Sequence, residues 1–140
     1  MTNTVTPETA RLLAAAGFPQ PSPAPGQWWG DGNRLVLIWR KWPKEYYTVT
    51  ELTYNQPLVQ NQFLSSDFTG LVFLPTVGDI LSHPLAEGYG VSRQYDTTES
   101  GLSWVCCPTE WDTPEMVSAY HETSAAEAAA LVWIELNEKK

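Results

Sequence analysis

An α+β fold, with an antiparallel sheet of about five or six strands covered by N- and C-terminal helices, follows from three observations. Helix patterns open and close the chain. Between them lie branched and aromatic stretches, "RLVLIWRKW", "EYYTVTELTY", "LVFLP", "YGVSRQYD", "LSWVCC" and "MVSAYHE", separated by turn residues. The 140 residues include seven Trp, six Tyr and four Phe, enough apolar material for the core of one domain spanning residues 1–140.

The elements are read in order. Thr6 before Pro7 opens a helix, because a hydroxyl accepts from a free N–H and proline fills the first turn without losing a needed donor. Gly17 closes it, giving an N-terminal helix within residues 1–17. Thr9, Leu12, Leu13 and Ala16 share the face expected to meet the core. The four prolines of "FPQPSPAPG" exclude helix and central strand, so residues 18–33 are expected to be a Pro-rich connector ending in a "GDGN" turn. Residues 34–122 hold the sheet and one short helix. Arg34 to Trp42 and Glu45 to Tyr54 form a hairpin or meander around Pro43 and Lys44. Asn55 to Gly70 shows little periodicity and is assigned to no element. Thr76 and Asp79 have capping-box spacing and start the short helix. Ser124 and Glu127 repeat that spacing ahead of a C-terminal helix over residues 124–138.

Charge narrows the partners. Sixteen acidic and eight basic side chains give a net charge of −8, which opposes a phosphate backbone and argues against nucleic acid. No Lys or Arg lies between Gln94 and Lys139, and Arg34, Arg40, Lys41 and Lys44 form the one basic cluster. No window supplies the roughly 18 apolar residues of a membrane span, and "MTNTVTPETA" has no secretory pattern. The expectation is a cytoplasmic protein with no membrane partner.

The two cysteines, Cys106 and Cys107, are adjacent. On a strand they point to opposite faces, and a disulfide between neighbours is strained. A thiol nucleophile needs a base or positive field, whereas here Glu110 and Asp112 follow. Cys106 is therefore read as a core residue and Cys107 as a free thiol. His83 and His121 lie on separate segments with no metal-ligand spacing, so neither a metal nor a cofactor is expected. A small hydrolase using His121 with Glu110, Asp112 or Glu122 is one alternative reading, although no hydrolase, phosphate-loop or dinucleotide motif selects it.

The aromatic excess carries the main functional expectation. Trp28, Trp29, Trp39, Trp42, Tyr46, Tyr47, Trp104 and Trp111 are core filler or the lining of a groove. Trp28 and Trp29 are adjacent and Trp42 sits beside a turn, which makes these the side chains expected at the surface. With Trp111 they form the candidate binding set. The last helix carries Leu131 and Ile134 opposite its main apolar face, the candidate self-association surface of a homo-oligomer.

"TPETARLLAAAGFPQP…GQWW", "LPTVGDILSH" and "SAAEAAALVWIELNEK" together resemble segments of a group of short bacterial and phage-type proteins. The resemblance implies a phage or mobile-element origin and transfers no activity and no site residue. The sequence thus predicts a non-enzymatic, acidic protein-interaction module that contacts another protein, with a small-ligand binder using surface tryptophans as the alternative.

Overall fold

The computed structural model describes residues 4–53, 56–95, 102–109, 117–121 and 123–139. The chain divides into two compact units, Thr6–Leu74 and Met1–Val5 with Pro75–Lys140. The α+β class is as predicted, with a five-stranded antiparallel sheet in the first unit and a three-stranded one in the second.

In the Thr6–Leu74 unit, helix α1 (Pro7–Ala15) begins where the Thr6 hydroxyl accepts from the Thr9 N–H. It packs against β5 through Ala10 and Leu13. Leu12, expected on the same face, is instead exposed, because so short a helix touches the sheet along a single line and the next residue is about 100° away. Strands β1 (Trp28–Gly30), β2 (Arg34–Trp42), β3 (Tyr46–Thr53) and β4 (Val59–Leu64) follow as successive antiparallel neighbours. A 3-10 turn at Ser65–Phe68 then leads to β5 (Val72–Leu74), which pairs with β1, so the sheet order is β4-β3-β2-β1-β5. Val59–Leu64 and Ser65–Phe68, within the stretch left unassigned by the sequence, therefore supply an edge strand and a crossover.

The connector expected over residues 18–33 is corrected at its end, since β1 lies inside the sheet between β2 and β5. Its local causes are visible. Asp31 Oδ1 accepts from the Asn33 and Arg34 N–H groups at 2.8 and 3.0 Å, which turns the chain tightly into β2. Gly30 permits the close passage, because a Cβ there would lie 2.8 Å from the Arg34 carbonyl oxygen.

One sheet face builds an aromatic core from Trp29, Val36, Ile38, Tyr47, Val49, Phe63, Phe68, Leu71 and Phe73. Phe68 is its hub, with ring centroids 5.6 Å from Trp29, 5.1 Å from Tyr47 and 5.3 Å from Phe63, all edge-on. The crossover thus seals the face it passes over. The Arg34 guanidinium closes the rim through a 2.9 Å ion pair with Glu51.

In the other unit, strands β6 (Tyr89–Tyr95), β7 (Leu102–Pro108) and β8 (Ala119–His121) form the second sheet in the order β6-β7-β8. Helix α2 (Val77–Leu81) carries the predicted capping box, with Asp79 N–H donating to Thr76 Oγ1 at 3.1 Å and Thr76 N–H to Asp79 Oδ2 at 2.9 Å. Helix α3 (Ala125–Glu138) starts where Ser124 Oγ accepts from the Glu127 N–H, and it packs against β6, β7, β8 and α2. It is buried through Ala126, Ala128, Ala129, Ala130, Val132 and Trp133. Glu127 is also buried, and it is partnered.

Candidate functional site

The principal candidate site is the outer face of β2, β3 and β4, opposite the aromatic core. In a regular strand Trp39 and Trp42, three residues apart, would point to opposite faces. A β-bulge between Ile38 and Arg40 changes this. Ile38 pairs with Val49, Arg40 with Thr48 and Trp42 with Tyr46, so one extra residue, Trp39, is accommodated. The bulge leaves Ile38 in the core and turns Arg40 and Trp42 outward, beside the bulged Trp39.

Both indoles are held in place. Trp39 Nε1–H donates to Thr50 Oγ1, and Trp42 Nε1–H donates to Thr48 Oγ1 at 3.0 Å. The guanidinium of Arg40 stacks on the Trp42 ring, 3.8 Å from its centroid. Tyr46 is the cross-strand neighbour of Trp42, and Leu64 on β4 is the next in that row. Exposure is large: 59% for Trp39, 38% for Trp42, 40% for Tyr46 and 49% for Leu64. The turn that joins β2 to β3 holds Glu45 at φ +59°, the left-handed region that favours glycine, and its N–H donates to the Trp42 carbonyl at 3.1 Å. Beside this turn Trp42, Pro43, Lys44, Tyr46 and Gln62 line a cleft of about 380 Å³.

The structure divides the sequence-predicted binding set. Trp42 lies in the cleft. Trp28 is half-buried on the outer face of β1. Trp29, expected at the surface, is corrected to a core residue: it is 8% exposed, its ring meets Phe68 and Phe73, and its Nε1–H donates to Gln27 Oε1 at 3.0 Å. Adjacent residues on a strand face opposite ways, so only one of this pair can remain outside. Trp111 lies outside the described residues. Trp39 and Tyr46 belong to the wider aromatic set of the sequence and are not singled out there, because the bulge that sets their face shows only in the paired register.

The basic cluster also divides. Arg34 is committed to Asp31 and Glu51. Lys41 pairs across the strands with Tyr47 and reaches over that ring at 5.9 Å, on the core-facing side. Arg40 and Lys44 remain beside the aromatic face, and neither forms an ion pair among the described residues.

A second cleft, of about 780 Å³, separates the first turn of α1 from the β1–β2 turn and the outer-face residues Leu35 and Leu52. In the Pro75–Lys140 unit, Leu131 is 45% exposed on α3 and Ile134 is half-buried.

Of the groups considered for catalysis, the two cysteines and the two histidines fall among the described residues. Cys106 is fully buried and Cys107 partly so, both as free thiols. Burial, followed by the neighbouring Cys107, pushes the Cys106 thiol up from 9.0 to about 12, far from a nucleophile at neutral pH. His121 Nδ1 accepts from the Thr123 and Ser124 N–H groups at 3.3 and 3.1 Å, a local cap leading into α3. A neutral ring that accepts at Nδ1 carries its proton on Nε2. His83 Nδ1 likewise accepts from the Leu85 N–H, and its ring packs edge-on against Trp133. Glu110, Asp112 and Glu122 lie outside the described residues. Among the described residues no cluster of three His, Cys, Asp or Glu side chains could hold a metal ion, and no helix is long and apolar enough to cross a membrane.

Comparison with protein-family models, curated proteins and solved structures finds no match for the chain.

Proposed function

We propose that the protein is a non-enzymatic interaction module that binds another protein through the outer face of β2, β3 and β4. The observation that carries this reading is the pair of hydrogen-bonded indoles, Trp39 and Trp42, exposed beside Tyr46. Large aromatic rings left in water forgo the free energy of burial, at about 25 cal/mol per Å² of apolar surface. Rings fixed by their own N–H groups lose little conformational freedom when a partner covers them, which favours binding. Aromatic side chains of this kind dominate the energetics of protein interfaces. The test is affinity capture from a cell extract with the intact protein as bait, alongside Trp39→Ala and Trp42→Ala variants. A specific protein retained by the parent and lost from both variants supports the reading. A captured set that is the same for all three baits, or none, refutes it.

A second reading, a small-ligand binder, is favoured by the cleft at Trp42 and Tyr46, whose about 380 Å³ falls within the size range of ligand pockets. Ligand screening by thermal shift separates the two. A compound that stabilises the parent and leaves Trp42→Ala unmoved supports the small-ligand reading.

A further inference from the structure

The charge of the chain is unevenly distributed. Thr6–Leu74 contains five basic residues, Arg11, Arg34, Arg40, Lys41 and Lys44, and five acidic ones, Glu8, Asp31, Glu45, Glu51 and Asp67. That unit is neutral, and the whole net charge of −8 belongs to the remainder. The aromatic face thus belongs to the neutral part of an acidic protein, and the acidic side chain in its turn, Glu45, is engaged by Ser65, whose Oγ donates to Glu45 Oε2 at 3.5 Å. Arg40 and Lys44 flank the Trp42–Tyr46 row without a carboxylate partner among the described residues.

We propose that this face takes an extended acidic segment of a partner protein, with one large apolar side chain seated in the cleft between Trp42, Tyr46 and Gln62 and its carboxylates at Arg40 and Lys44. The inference rests on the interaction-module reading and names the chemistry of the partner. Three features favour such a segment over the other ligands an aromatic surface attracts. The indole N–H groups of Trp39 and Trp42 are spent on Thr50 and Thr48, so the rings offer apolar surface and no donor for a carbonyl-rich polyproline helix. Among the described residues only two cations border the face, and one already stacks on Trp42, too few for a tract of phosphates, where affinity grows with each charge neutralised. The row continues outward into Leu64, an aliphatic neighbour suited to a protein side chain. The Arg40 guanidinium keeps its edge donors while its plane covers the ring, and those donors match a carboxylate.

The test is selection from a displayed library of random peptides, about twelve residues long, at about 50 mM salt, enough for an extended strand to cross the face. The baits are the intact protein and its Arg40→Glu/Lys44→Glu double variant. The expected result is a recovered set rich in Asp and Glu with one Trp, Phe or Leu, and binding of the commonest peptide that falls at least about tenfold in the double variant. It should also fall when salt is raised to about 300 mM, as screening of an exposed charge pair requires. Urea unfolding of the double variant at the parent midpoint checks that the fold is intact. No enrichment, a set rich in Pro or in Lys and Arg, or equal binding to the double variant overturns the proposal. So does an oligothymidylate of about fifteen nucleotides that binds as tightly as the best peptide, which would assign the face to single strands. Sedimentation showing that the parent covers this face by self-association has the same force. If Trp39→Ala and Trp42→Ala lose a captured protein while the peptide selection fails, the interaction-module reading stands and only this chemistry is withdrawn.

Discussion

Cys106 should be almost inert to thiol reagents in the folded protein while Cys107, its immediate neighbour, is not. The pKa of the buried thiol is pushed up from 9.0 to about 12. At pH 8 a thiol with the ordinary value is roughly a tenth thiolate, whereas at the raised value the fraction is about one in ten thousand, so attack slows about 1,000-fold before access is counted. The assay is iodoacetamide labelling at pH 8, followed by mass spectrometry, on the parent and on Cys107→Ser, with and without urea. The parent should take one label rapidly, at Cys107, and the second only on unfolding. Cys107→Ser removes the smaller cause of the shift and should keep most of the protection, because burial is the larger. The same shift sets an alkaline limit on stability. The folded state holds its thiol proton above the pH at which the unfolded chain releases it, so this contribution is complete below pH 9.0 and is lost as pH rises towards about 12. A three-unit difference corresponds to about 4 kcal/mol over that window. Labelling of native Cys106 within about tenfold of its rate in urea would show that the strand is neither closed nor protected, and the structural reading of the thiol pair would fail.

Two further outcomes follow from the five-stranded sheet. Phe68→Ala removes the ring that meets Trp29, Tyr47 and Phe63, and should cost about 3–5 kcal/mol in urea unfolding; a loss below about 1 kcal/mol would mean that the crossover does not seal the core. Glu45→Gly relieves a left-handed backbone at the β2–β3 turn and should gain about 1 kcal/mol, whereas Glu45→Ala, which keeps a Cβ in the same conformation, should gain nothing; equal gains from both would rule out backbone strain as the cause.

Much of the architecture was legible because its signals are local. Thr6–Pro7, Thr76–Asp79 and Ser124 are hydroxyls at helix starts, and each caps as its spacing requires. The divergence of Cys106 and Cys107 needed only the alternation of a strand. β1 was obscured because its identity is decided by neighbours distant in sequence: Trp28 and Trp29 pair with Leu37 and Val36 on one side and with Leu74 and Phe73 on the other. A three-residue strand after a proline tract has too little periodicity to announce itself. β4 failed for a related reason. As an edge strand it is exposed at every position except Phe63, so "VQNQFL" lacks the alternation by which a half-buried strand is recognised.

The site was legible as composition and hidden as geometry. Counting tryptophans locates an aromatic excess but cannot assign faces, and one inserted residue decides them. Removing the bulge would restore strict alternation after Ile38, returning Trp42 to the core side and Lys41 to the outer face. That exchange would bury a ring now exposed and displace Arg40 from the surface where it stacks. The sheet keeps its aromatic core on one face and a second aromatic row on the other because the register shifts once, between Ile38 and Arg40. The core that holds Trp29, Tyr47, Phe63, Phe68 and Phe73 includes neither Trp39 nor Trp42. The outward row thus stands apart from that core, with its indoles set by their bonds to Thr50 and Thr48.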